Sequence, residues 1–130
     1  MHRFVEFINT ASEILAEELV SPNAQFFVPG RPEALKGPAG YIGIIQMMRS
    51  GFPDIQWTLD DMVAEDEQVA ARFTMRGTHH GTFFGVPATG NPIEVRAMNF
   101  YRFSGNQIIE EFGQPDLLSL LQQIGAVPSN

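Results

Sequence analysis

Gln107-Ile108-Ile109-Glu110-Glu111-Phe112-Gly113-Gln114-Pro115-Asp116, running into Leu117-Leu118-Ser119-Leu120-Leu121-Gln122-Gln123-Ile124-Gly125, decides how the chain is read. Alternating polarity predicts a short strand with two adjacent carboxylates. The strand is expected to break at Gly113, turn through Pro115 and Asp116, and become an amphipathic helix. No lysine or arginine stands within this stretch. At least one of Glu110 and Glu111 must therefore face a pocket, solvent or a distant cation.

Working back from there, Ser104-Gly105-Asn106 is a tight hairpin turn. It joins the stretch to a long strand over 92–103, with Ile93, Val95, Ala97, Asn99, Tyr101 and Phe103 on one face. Residues 81–91, rich in Gly, Pro and Thr, form a loop expected over the mouth of the fold. The strand over 69–79 turns Val69, Ala71, Phe73, Met75, Gly77 and His79 to the core. Glu65-Asp66-Glu67-Gln68 is a solvated hairpin tip, preceded by a strand in which Ile55, Trp57 and Leu59 alternate with polar residues.

Further back the period changes. A helix begins at Gly37-Pro38 and runs to about residue 50, with Ile42, Ile45, Met48 and Phe52 spaced for one face and Gly51 as its stop. A short strand over 24–28 is closed by Pro29-Gly30. Residues 3–20 carry a helical stripe of Phe4, Phe7, Ile8, Ala11, Ile14, Leu15 and Leu19. Asn9-Thr10-Ala11-Ser12 weakens its middle, and Thr10 with Glu13 has capping-box spacing, which allows two shorter helices with a bend. Ser21-Pro22-Asn23 ends the helix.

Helices first, then hairpin-linked antiparallel strands, then a closing helix make an α+β pattern. A long sheet with one apolar face must be covered by those helices. The expectation is a cone-shaped barrel: a strongly curved, mostly antiparallel sheet wrapped around the N-terminal helices, with a small-molecule cavity in its mouth. The 130 residues suit a single domain, 1–130, and 44% apolar residues with eleven phenylalanines argue against disorder. Net charge is −7, and eight scattered Lys and Arg make no basic stripe for nucleic acid. With no cysteine, disulfides, thiolate nucleophiles and Cys-based zinc sites are excluded. No apolar run approaches the roughly 20 residues that span a bilayer, so a cytoplasmic protein is expected.

Gly37-Pro38-Ala39-Gly40-Tyr41, Gly51-Phe52-Pro53-Asp54, Val63-Ala64-Glu65-Asp66, Arg76-Gly77-Thr78-His79, Gly85-Val86-Pro87-Ala88-Thr89-Gly90 and Leu120-Leu121-Gln122-Gln123-Ile124-Gly125-Ala126-Val127-Pro128 occur in this order. Together they resemble the SnoaL-like polyketide cyclase (ester cyclase) family of the nuclear-transport-factor-2-like superfamily. That resemblance implies an aldol ring closure without metal or organic cofactor, and a homodimer joined through exposed sheet faces. It also implies an acid/base aspartate in the last strand and a histidine on the strand before it. Here Gly113 and Asn99 fall on those places, so a cyclase mechanism would need a different acid.

Glu111, two positions from Gly113 and pointing the same way, is the candidate substitute, since burial would raise its pKa toward a useful range. An exposed strand glutamate, or one paired with Arg96 or Arg102, is the alternative. His79 is the second catalytic candidate. Asn99, Gly113, Gln114, Asp116 and Trp57 are candidates for contacting substrate; Asp116 also suits a helix cap, and Asn99 a structural hydrogen bond. His79-His80 lacks the geometry of a metal site. Two readings follow: a cofactor-independent enzyme on a small apolar carbonyl compound, or a non-catalytic ligand-binding or structural barrel that lost the acid.

Overall fold

The helical stripe at the start of the chain becomes two helices, α1 (His2–Thr10) and α2 (Glu13–Leu19). The break falls at Ala11, whose φ of 56° is left-handed. The cap of α2 is Ser12, whose hydroxyl accepts from Leu15 N–H, whereas Thr10 bonds back to the Glu6 carbonyl. Because the break resets the helical phase, Ile14 leaves the core stripe and is 81% exposed. The structure, a computed structural model, describes residues 1–29 and 32–128; Gly30, expected to close the first strand, lies outside them.

Strand β1 (Val20–Phe27) starts four residues earlier than its apolar pattern suggests, with a register shift between Val20 and Gln25. After β2 (Leu35–Lys36) comes α3 (Gly37–Gly51), with Pro38 in its first turn. Its buried stripe is Tyr41 and Ile45, with Ile42 only half-buried. Then follow β3 (Gln56–Glu65), β4 (Gln68–Thr78), β5 (Pro92–Ser104), β6 (Gln107–Pro115) and α4 (Leu117–Gln123). Strand β6 runs through Gly113, which pairs with Asn99, and ends two residues later than expected. A glycine weakens a strand but does not end it while its backbone is paired, and the ladder with β5 continues through Gly113 to Pro115.

The six strands form one curved, unclosed sheet in the order β2-β1-β6-β5-β4-β3, antiparallel except for the parallel β1–β6 pair. Bulges at Asp60 in β3 and in β6 beside Arg102–Phe103 bend it. All four helices send apolar side chains to its concave side. Phe4, Phe7, Leu15, Tyr41 and Ile45 meet Phe26, Phe73 and Tyr101 in one cluster. Leu120 of α4 and Ile124 just after it meet Met75, Ile93, Val95 and Phe52 in a second. Trp57 packs against both, and Asn9 locks its backbone: Trp57 N–H donates to Asn9 Oδ1 at 2.7 Å, and Asn9 Nδ2 donates to the Trp57 carbonyl at 3.0 Å.

Residues 81–91 do not lie over the Glu111 end of the sheet. Phe83 packs on Phe52, and Gly81 sits so close to the end of α3 that a Cβ there would be 1.9 Å from the Ser50 carbonyl oxygen. Among the described residues, no helix is long and apolar enough to cross a membrane.

Candidate functional site

The two carboxylates of the opening stretch go opposite ways. Glu110 turns outward to Arg102, with Oε1 3.3 Å from Nε. Glu111 turns inward and is 6% exposed, and among the described residues it forms no ion pair with an arginine. Its Oε1 accepts from the Tyr41 hydroxyl at 2.8 Å. Tyr41 reaches it because α3 lays its buried stripe against β1, and β1 lies beside β6 with Phe26 opposite Glu111. Tyr101 is opposite Glu111 on β5, and its hydroxyl accepts from Asn99 Nδ2 at 3.0 Å.

Burial pushes the Glu111 carboxyl up to about 8, and the Tyr41 hydrogen bond draws it back only in part. Burial, then the nearby Glu111 charge, raises both tyrosines well above their ordinary value. The group therefore holds a proton on Glu111 near neutral pH. A carboxyl in that range can both give and take a proton.

Gly113 explains how Glu111 fits. A Cβ on Gly113 would lie 3.4 Å from Glu111 Oε2 and 3.7 Å from Asn99 Oδ1. The carboxylate thus folds back over the space in which a side chain at 113 would sit. Asn99 is half-buried, and both halves of its amide are engaged, since Oδ1 accepts from Gln114 N–H at 3.1 Å.

The other candidates stand apart from Glu111. His79 is fully buried just past the end of β4, ten residues from Val69, the residue in line with Tyr101 and Glu111. Its Nδ1 faces Thr89 Oγ1 at 2.9 Å and accepts from Thr89 N–H at 3.3 Å; its Nε2 has no partner among the described residues. Asp116 is exposed and caps α4, its Oδ1 accepting from Ser119 N–H at 3.0 Å. Gln114 is exposed on the convex face opposite Met98. Trp57 lines the concave face, half-buried. Among the described residues no group of three or more His, Cys, Asp or Glu is placed to hold a metal.

Tyr41 and Tyr101 are the partners that sequence reasoning missed. They are the only two tyrosines in the chain. Each sits on a core-facing stripe, where a buried hydroxyl requires a polar partner. That was the available signal.

Comparison with known proteins places these features in context. The family model described as SnoaL-like polyketide cyclase matches residues 1–124. Aklanonic acid methyl ester cyclase DauD of Streptomyces sp. (strain C5) is 26% identical over 96% of this chain and 79% of its own length. The crystal structure of IdmH from Streptomyces antibioticus, described as a candidate polyketide cyclase, superposes with a TM-score of 0.85 at 31% identity. It covers 95% of this chain and 94% of its own. TsrD of Streptomyces laurentii superposes with a TM-score of 0.85 at 26% identity, over 98% of this chain and 92% of its own.

Proposed function

The chain belongs to the SnoaL-like polyketide cyclase family, and from that premise we propose that it catalyses a cofactor-independent aldol-type ring closure, with Glu111 as the proton-transfer group. The substrate class is a small, largely apolar, carbonyl-bearing molecule. The name of the relative DauD, an aklanonic acid methyl ester cyclase, supports an ester-bearing polyketide within that class. One observation carries the reading: a buried carboxyl with its pKa raised to about 8, on the concave face, folded over Gly113.

In this reading the ionised Glu111 takes a proton from the carbon beside a substrate carbonyl. The resulting enolate carbon attacks a second carbonyl of the same molecule, forming the carbon–carbon bond. Glu111, now neutral, returns the proton to the new alkoxide. Atoms balance within one substrate and one carboxyl. Tyr41 steadies whichever oxygen bears charge, as a donor in a water-poor site. Asn99 acts through Tyr101 and the β6 backbone and positions this group. Replacing Glu111 by Gln keeps an acceptor for Tyr41 but cannot move a proton. Turnover of an aklanonic-acid-type methyl ester should fall about 10²-fold, with binding of the ester retained. Unchanged turnover in the variant would remove Glu111 from the chemistry, whereas a wild type that binds the ester without turning it over would leave the non-catalytic ligand-binding reading in its place.

The protein also works as a homodimer in this proposal, joined through the convex sheet face. Val63, Ala70, Phe100, Phe112 and Phe27 are successive partners in one row across β3, β4, β5, β6 and β1. Phe27 and Phe112 stack at 4.8 Å, and Met98, 66% exposed, lies in the next row. The helices all pack on the other side, so this apolar row is free to meet its copy. The outer Arg72, Thr74 and Arg76 of the same face frame it. Phe112→Glu combined with Met98→Glu should convert a dimer to a monomer in sedimentation equilibrium. A wild-type monomer at tens of micromolar would end this proposal.

A further inference from the structure

A groove of about 650 Å³ runs between the first two helices and the β5–β6 hairpin. Its apolar floor includes Met1, Phe4, Leu19, Phe103 and Ile108, with Arg3, Glu18 and Asn106 at the rim. Glu111, Tyr41 and Tyr101 do not line it. Phe4 belongs to both places. Although 3% exposed, it lines the groove on one side, and on the other its ring meets Tyr101 edge-on at 5.3 Å and Tyr41 at 5.7 Å. Immediately behind those rings, Tyr41 holds Glu111. Phe4 and then the two tyrosine rings lie in sequence between the surface groove and the buried acid.

The helix that carries this ring is held unequally at its two ends. Near its C-terminus, Asn9 is clamped to the Trp57 backbone by two hydrogen bonds, and its carbonyl accepts from Arg49 Nη1 at 3.2 Å. Ala11, left-handed, follows as a joint. Near its N-terminus, α1 has no side-chain cap, and its polar tie is the exposed, two-pronged Arg3–Glu18 pair on the groove rim. Exposed ion pairs are weak ties, readily exchanged for water. Rotation about the Asn9–Ala11 end would lift Phe4 further than Phe7 or Ile8, which sit nearer the pivot.

We propose that Phe4 is the gate residue of this protein: substrate reaches Glu111 from the α1–α2 groove when the weakly tied N-terminal end of α1 lifts, and the slot it vacates selects a flat aromatic carbonyl compound. The inference takes Glu111 as the reacting group from the reading above. Selectivity follows from the walls. The Phe4 ring leaves a space faced edge-on by two other aromatic rings, which suits another planar ring, and behind it stand the polar atoms of the acid, its tyrosines and the Asn99 amide.

The two tyrosines of the chain are the two residues behind the gate, so tyrosine chemistry reads these positions and no others, and opening the gate raises both their access to reagent and their ionised fraction. Nitration by tetranitromethane at pH 8 is measured against free N-acetyltyrosine amide, with no substrate and no turnover required. Wild type should react slowly. Phe4→Ala, or Phe4→Leu should the alanine variant lose its circular dichroism signal, should react about tenfold faster. Glu18→Gln, which loosens only the rim pair, should accelerate it less. Ile124→Ala, a comparable loss in the second core cluster, should leave the rate at the wild-type value. Saturating 2-acetylnaphthalene, a flat two-ring ketone, should slow nitration of the Phe4 variant. Phe4 variants that react as slowly as wild type, an equal acceleration in Ile124→Ala, or no protection by the ketone would each overturn the gate. The outcome is independent of the catalytic reading: accelerated nitration with full turnover in Glu111→Gln keeps the passage and removes the acid, whereas lost turnover with unresponsive tyrosines does the reverse.

Discussion

Glu111→Gln is expected to make the protein more stable than wild type at pH 8 and about equally stable at pH 4. The folded carboxyl has its pKa raised to about 8, against an ordinary value of 4.5. Below the ordinary value both folded and unfolded chains hold the proton, and its stabilising contribution is fully present. As pH rises the unfolded chain releases the proton while the folded chain keeps it, so stability is lost through this window up to the folded pKa. The full loss is on the order of 4 kcal/mol, large against the stability of a small domain. Glutamine has nothing to release and keeps an acceptor for Tyr41. Asp54, held below its ordinary value chiefly by the Thr78 hydroxyl, acts in the opposite direction and is common to both proteins. Urea midpoints of the pair at pH 4, 6 and 8 should diverge with pH; parallel lines would mean that Glu111 titrates as an ordinary carboxyl.

The second large effect concerns the residue behind it. Gly113→Ala adds a Cβ at van der Waals distance from Glu111 Oε2, Asn99 Oδ1 and the Phe27 carbonyl, and should change stability little. Gly113→Asp places a carboxyl among three oxygens, two of them fixed acceptors. Two carboxyls so close share one proton rather than ionising together. A loss of about 2–4 kcal/mol at pH 8 is expected, smaller at pH 5, where both can be neutral. Removing the competitor in Gly113→Asp with Glu111→Ala should recover much of that loss, a non-additivity diagnostic of direct contact. It would also leave a lone acid at the place that the family resemblance gives to the catalytic aspartate. If the single aspartate variant is as stable as the alanine variant, the two side chains do not meet.

Both predictions turn on what could be read from the chain and what could not. Alternation in β3, β4 and β5 assigned the inward residues correctly, from Val69 to Phe103, because a half-buried strand repeats every two residues. The same rule put Glu111 and Gly113 on one side. It could not say which glutamate found a partner, since Arg102 meets Glu110 only through cross-strand register. Tyr41 and Glu111 are 70 positions apart, and no local pattern links a helix stripe to one strand residue at that distance. The exposure of Ile14 and the choice of Ser12 over Thr10 depend on a single left-handed residue, Ala11. Thr10 and Ser12 are both sound capping residues, so composition alone left the phase of α2 undetermined.

The parallel pairing of β1 with β6 also governs how the protein is made. Phe26 finds its neighbour Glu111, 85 positions further on, only after the intervening chain has been synthesised. On its other edge β1 has just the two-residue β2. A chain emerging from the ribosome therefore has its first three helices and the β3–β5 hairpins in hand while β1 still lacks its main partner. Contacts so distant in sequence form late, after the entropy of closing a long loop has been overcome. Until then Phe26 and Phe27 are offered to solvent on an open strand edge, the kind of surface that chaperones engage and that joins chains to one another. The last strand thus does more than present an acid: its arrival closes the fold.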